Sequence, residues 1–234
     1  MRASPVRRIR WSEAFRIIST RYPPIEIFER IADPADWEEL IGIEELTNPR
    51  IRESMGEIAR VPEAERVSGP GASWVMAAFT HVGRASRFSD GTYGVYYAAR
   101  HLLTSVAETT FHFGRFLERT REPAGTELEM RVLRSADLDG SFHDIRNGFP
   151  RLHDPDDYRP SQAWAKSVRD RGSRGLVYLS VRRPGGFPCL AVFRAHAIPR
   201  PESHAFLRYR YDGRRISHWI QLGTHQDWQE VPGL

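Results

Sequence analysis

The sequence predicts an α+β protein, with strands and helices intermixed and no regular strand–helix alternation of the doubly wound kind. Three observations carry that expectation. Residues 101–119 read as a helix of about five turns, because Leu103, Val106, Thr110, Phe113 and Leu117 fall along one stripe. Residues 127–135 alternate as a strand. Asp212-Gly213, flanked by strand-like runs at 205–211 and 215–222, is a strong hairpin signal.

The remaining elements follow in chain order. Residues 1–10 are basic, with no apolar stretch behind them, so they read as a frayed arm and not as a secretory signal. Residues 13–19 read as a strand, which Pro23-Pro24 ends. From Pro34 onward, Trp37, Leu40, Ile41 and Leu46 recur at helical spacing, and Asn48-Pro49 punctuates them. Residues 62–72 are rich in Pro, Gly, Glu and Ser and read as loop; residues 73–82 read as a short helix. Residues 83–94 form a loop with a Ser-Asp-Gly turn, and 95–99 a short apolar strand. Ser161 is placed to cap a helix running to about Arg171, which Gly172 ends. Residues 176–181 and 189–195 read as strands joined by the Pro184-Gly185-Gly186 turn.

Composition bounds the function. With 234 residues, 40% hydrophobic and 27% charged, the chain can bury a sizeable core without staples. Cys189 is the only cysteine, so no internal disulfide forms; a buried strand thiol and a cytoplasmic location are the expectations. No apolar run is long enough to span a bilayer, which argues against a membrane role. The net charge is +4, yet Lys166 is the only lysine and the arginines are interleaved with acids. That pattern fits a coding bias better than a nucleic-acid surface. No nucleophile elbow, Walker loop or zinc-protease helix motif is present. Glu108 and His112 share a helix face, a weak pattern for a metal, so no metal site is expected.

The informative stretch is the ordered set Ser86-Arg87-Phe88-Ser89-Asp90-Gly91, Val95-Tyr96-Tyr97-Ala98-Ala99, Ala107-Glu108-Thr109-Thr110, Gln162 at the head of a helix, and Gly175-Leu176-Val177-Tyr178-Leu179-Ser180-Val181-Arg182. This order resembles the RES domain, a family named for its Arg, Glu and Ser. The positions that match are Arg87, Tyr97, Glu108, Gln162, Ser180 and Arg182, with Arg16 in the place of the family's first-strand arginine and Arg21 as its rival. The resemblance covers residues 13–18 and 86–195. Phe88-Ser89 stands where Trp-Asn is common, and Leu179 where Pro is usual. Residues 22–82, longer than the family's usual link, are expected to form a mainly helical insertion within one RES-like domain spanning 1–234.

The resemblance implies an ADP-ribosyltransferase-like mixed sheet with flanking helices, and an enzyme that consumes NAD. The products depend on the acceptor, which is water, phosphate or a protein side chain. It also implies a toxin neutralised by an Xre-like helical antitoxin. The residue types suit that chemistry. Glu108 is the carboxylate placed to stabilise an oxocarbenium-like ribose. Arg16 and Arg87 are the forks for the pyrophosphate, and Tyr97 is the ring for nicotinamide. Ser180 is assigned either to the ribose or to holding Arg87, while Gln162 and Arg182 complete the NAD contacts. Read without the resemblance, Glu108 is a solvated glutamate on a polar helix face beside His101, Thr104, Ser105 and His112.

Overall fold

The computed structural model describes residues 3–21, 56–224 and 227–233, together with residues 28, 29, 33, 35, 37 and 41. Eight strands are described: β1 Val6–Ser19, β2 Tyr96–Ala99, β3 Glu127–Asp144, β4 Gly175–Leu179, β5 Pro188–Val192, β6 Glu202–Tyr211, β7 Ile216–Gln221 and β8 Gln229–Glu230. Three α-helices have bounds among the described residues: α1 Ala72–Thr80, α2 Leu102–Thr120 and α3 Arg159–Asp170. The protein is therefore α+β, with one mixed sheet.

The pairing divides the sheet into two antiparallel halves. β1 runs alongside β3 from Val6↔His143 to Ser19↔Met130, and β6, β7 and β8 continue outward from β3. The second half is β2–β5–β4. The halves touch at two narrow seams: a two-residue parallel contact between β3 and β4, and the single pair Phe15↔Ala99 between β1 and β2. Where β1 and β2 part beyond that one pair, the sheet opens into a cleft.

Three apolar clusters hold this arrangement. Ile9, Trp11, Leu138 and Phe142 of the first half meet Tyr96, Val177, Leu190 and Val192 of the second, with Val75, Met76 and Phe79 of α1 packed on them. Trp164 and Val168 of α3 cover the other face of β4–β5, on Leu176, Tyr178 and Ala191. Val106 and Leu117 of α2 cover Phe15, Ile17, Met130, Val132 and Leu207. The β1–β3 pair changes core midway, opposite Asp137, whose φ is 49°.

Several expectations are corrected here. The basic arm is not frayed: Ile9 and Trp11 are buried while Arg8 and Arg10 point outward to Asp139, so residues 6–10 are the first half of β1. β3 continues nine residues past Ser135, to Asp144. Ser161 sits inside the first turn of α3 and does not cap it; Tyr158 occupies the cap position. Gly172 does follow α3, with φ of 87°. On α2 the buried stripe is Thr104, Ser105, Val106, Ala107, Thr110, Gly114 and Leu117, and Leu103 is exposed. Most of residues 22–55, including Leu40 and Leu46, lies outside the described residues. Phe28, Trp37 and Ile41 are buried in the first cluster.

Gly94 has a packing reason. A Cβ there would sit 2.1 Å from the Ala78 carbonyl oxygen, so only glycine lets the strand approach α1 so closely. Among the described residues, no helix is long and apolar enough to cross a membrane.

Candidate active site

The cleft between β1 and β2 has a volume of about 190 Å³. Arg16 from β1, Arg87 from the loop before β2, Tyr97 from β2, Glu108 and His112 from α2, and Tyr178 from β4 line it. Residues as far apart in sequence as Arg16 and Tyr178 thus converge. Arg21 does not line the cleft; it is an exposed turn residue. None of the described residues from 22 to 82 borders it either.

Helix α2 carries Glu108 because its other faces are committed. Ser105 donates to the Phe15 carbonyl at 2.8 Å, which ties the helix to β1, and Thr110 donates back to the Val106 carbonyl within the helix. Glu108 then faces the cleft, half-buried, and is not a solvated surface acid. Ser180, at the end of β4, donates to Glu108 Oε1 at 2.6 Å. Its hydroxyl oxygen already accepts from the backbone N–H groups of Arg182 and Arg183, at 3.2 and 3.0 Å. The single hydroxyl proton is therefore left for the carboxylate. Ser180 holds Glu108, rather than Arg87.

Burial pushes the Glu108 carboxyl above the ordinary range, and Ser180, Arg87 and Arg182 pull it back down. His112, one turn further along, keeps an exposed ring but stands in a desolvated, positive setting. That desolvation, followed by the fields of Arg182, Arg87, Arg115 and Arg84, lowers it to about 4, so it is neutral near pH 7. Among the described residues, no group of three or more His, Cys, Asp or Glu side chains is placed to hold a metal.

Two arginines at the cleft lack carboxylate partners among the described residues. Arg16 is desolvated, which lowers its pKa; its guanidinium lies 4.5 Å from the Tyr96 ring centroid, and Nη1 donates to the Tyr97 carbonyl at 3.3 Å. Its Nε has no hydrogen-bond partner. Arg87 is buried, donates through Nη1 to the Asp154 carbonyl at 2.7 Å and rests 4.4 Å from the Tyr158 ring centroid; its Nη2 has no partner. Guanidiniums stay charged, so buried N–H groups left open are donors suited to an anion.

The remaining predicted residues are placed as follows. Of the adjacent tyrosines, Tyr96 is core and Tyr97 borders the cleft. The Tyr97 hydroxyl hydrogen-bonds to Ser86 Oγ at 2.8 Å and accepts from the Phe88 N–H at 3.0 Å, so it anchors the arginine loop; burial pushes it up to about 12. Gln162 stands behind that loop, donating to the Ser86 carbonyl at 2.8 Å. Ser161 donates to the Arg87 carbonyl at 2.6 Å. Arg182 lies at the rim, over Phe111 at 3.4 Å and bonded to Tyr158 and to the Pro155 carbonyl. Cys189 is buried in β5, and burial raises its thiol well above the usual range.

Sequence reasoning missed two residues. Tyr158 supports Arg87 with its ring and accepts from Arg182 Nη2 at 2.9 Å through its hydroxyl, so one side chain positions both guanidiniums. His153 Nδ1 donates to the Phe149 carbonyl, which leaves Nε2 to accept from the Leu179 N–H at 3.2 Å. A proline at 179 has no N–H to give, so Leu179 and His153 belong together.

Residues 63–212 match the RES domain. That span includes Arg87, Tyr97, Glu108, Gln162, Ser180 and Arg182; Arg16 lies before it. The uncharacterized protein y4oC of Sinorhizobium fredii is 31% identical over 212 residues, covering 88% of this chain and 85% of that protein. A chain in the crystal structure of the M. tuberculosis MbcT-MbcA toxin-antitoxin complex aligns over 92% of this chain and 86% of that one, at 11% identity and a TM-score of 0.41. The family match spans well over half of the sequence and every element around the cleft except β1, so this protein belongs to the RES domain family.

Proposed function

We propose that this protein is an NAD-consuming enzyme of the RES family, acting as a toxin that a helical Xre-like antitoxin holds inactive. The reaction breaks the bond between ribose C1′ and the nicotinamide nitrogen. The bonding pair leaves with nicotinamide, and the ribose passes through an oxocarbenium-like state before water or phosphate attacks. The observation that carries this reading is the pairing, in one cleft, of a hydroxyl-held carboxylate with buried guanidiniums that have no carboxylate of their own. Arg16 and Arg87 bind the pyrophosphate, Glu108 faces the ribose, and the Tyr97 ring borders the nicotinamide. The fit rests on charge: a carboxylate to face the developing positive charge on the ribose, and guanidiniums without an ion-pair partner for the anionic part of the substrate.

The direct test is nicotinamide release from NAD by the purified protein, with and without phosphate. Release in plain buffer assigns water as acceptor; release that depends on phosphate assigns phosphorolysis. A labelled ADP-ribose that stays with protein would assign a protein side chain instead. No release under any condition would overturn the proposal.

Ser180→Ala gives a pH signature. Activity needs ionised Glu108, so it is full above the carboxyl's pKa and falls as pH drops through it. The Ser180 hydroxyl lowers that pKa, so its loss raises it. A hydrogen bond to the charged carboxylate favours its ionised form, so without it the acid limb of kcat/KM should move to higher pH. An unmoved limb would mean that Ser180 does not act through Glu108.

A further inference from the structure

Strand β4 delivers the hydroxyl that holds Glu108, yet β3 leaves it before its end. β3 pairs with β4 at His143↔Leu176 and Asp144↔Val177, and the Ile145 N–H adds one bond to the Val177 carbonyl. On the other side the Ser180 N–H donates to the Phe187 carbonyl at 2.9 Å. Antiparallel alternation then turns the Leu179 N–H away from β5, toward the side that β3 has left. His153 fills that place. Its Nε2 accepts from the Leu179 N–H at 3.2 Å, and its Nδ1 donates to the Phe149 carbonyl at 3.0 Å. One ring nitrogen accepts and the other donates, so the ring is neutral and its tautomer fixed.

The segment 149–154 that carries His153 is itself pinned. Phe149 and Leu152 are buried in the second cluster, and the Asp154 carbonyl accepts from Arg87 Nη1 at 2.7 Å. Two consecutive residues thus serve the two charges of the site, Asp154 on Arg87 directly and His153 on Glu108 through β4. We propose that His153 is a positioning residue: its neutral ring sets the end of β4 so that the Ser180 hydroxyl reaches Glu108 Oε1. The effect on turnover rests on the NAD reading above; the effect on Glu108 does not. Without an acceptor the Leu179 N–H must turn toward water or another carbonyl, and Ser180, one residue on, moves with it. The charges facing Glu108 are Arg87 and Arg182, with neutral His112 one turn along α2.

The test makes His153→Leu in two backgrounds, the native chain and Leu179→Pro. Proline has no N–H, and at a strand position whose N–H points out of the ladder it removes only the group that needs His153. The readout is the titration of the Glu108 carboxyl by carbon-13 NMR, its signal assigned by its absence from Glu108→Gln. In the native chain His153→Leu should raise the Glu108 pKa, because the Ser180 hydroxyl lowers it. In the Leu179→Pro background the same change should move nothing; the lost Phe149 contact is common to both and cancels. His153→Gln, which offers an acceptor oxygen in the place of Nε2, should keep the native titration and serves if the proline chain does not fold. In nicotinamide release, His153→Leu should lower kcat by up to about a hundredfold, the cost of a working group displaced by about 1 Å, with KM little changed. An unmoved Glu108 titration in His153→Leu, equal shifts in both backgrounds, or a His153→Gln shift as large as that of His153→Leu would each overturn the proposal. Titration needs no turnover. The expected shifts in a protein that releases no nicotinamide would therefore support the positioning role while removing the NAD reading.

Discussion

Replacing Glu108 by Gln is expected to reduce nicotinamide release by about a hundredfold to a thousandfold, the usual cost of removing one preorganised electrostatic partner, with the fold intact. The substitution changes one charge and almost nothing else. Gln keeps the size of the side chain and an oxygen that can accept from Ser180, so the 2.6 Å contact has a successor. Folding should not suffer, because ionising Glu108 in its desolvated place is itself unfavourable: burial pushes its pKa upward. Gln removes that cost, so the melting temperature should hold or rise slightly. What disappears is the negative charge facing the ribose as positive charge develops on it. Wild-type release by Glu108→Gln, with an unchanged melt, would exclude Glu108 as the working carboxylate and the NAD assignment with it.

How much of this was legible in the sequence varies with the physics of each element. The strands 13–19, 95–99 and 176–181, the helix 101–119 and the Asp212-Gly213 hairpin were readable because periodicity and turn chemistry are local. The first half of β1 was hidden by charge. Its outward positions are arginines, and the same alternation that buries Ile9 and Trp11 looks like a basic tail. The far half of β3 was hidden by Asp137, Asp139 and Gly140, poor strand formers that β1 pairs regardless. Ser161 looked like a helix cap because caps and loop anchors use the same hydroxyl; here it goes to the Arg87 carbonyl. The site residues were legible only as an ordered set. Nothing local distinguishes Glu108 from a surface glutamate, since its burial comes from β1 and β4, which are distant in sequence. Tyr158 had no signal at all: its role depends on a loop some seventy positions earlier.

Arg87→Lys is expected to reduce kcat/KM by about tenfold to a hundredfold, the range for one lost charge-assisted contact of about 1.5–3 kcal/mol, although the charge is kept. Arg87 uses its planar fork in three directions at once. Nη1 donates to the Asp154 carbonyl, the flat face rests on Tyr158, and Nη2 is left open toward an anion. A lysine ammonium is a compact point charge on a flexible stem. It can reach the Asp154 carbonyl or an incoming phosphate, but it cannot hold both while stacking on a ring. The loop itself should stay in place, because Tyr97, Ser161 and Gln162 grip its backbone and hydroxyl groups rather than the arginine side chain. The loss should therefore fall mainly on KM if Arg87 binds substrate and transition state alike, and on kcat if it orients the reacting carbon. Steady-state nicotinamide release over a range of NAD concentrations separates the two. Tyr158→Phe is the internal control. It keeps the ring under Arg87 and removes only the hydroxyl that accepts from Arg182, so it should cost much less than Arg87→Lys. Equal losses from both would move the decisive contact from Arg87 to Arg182 at the rim.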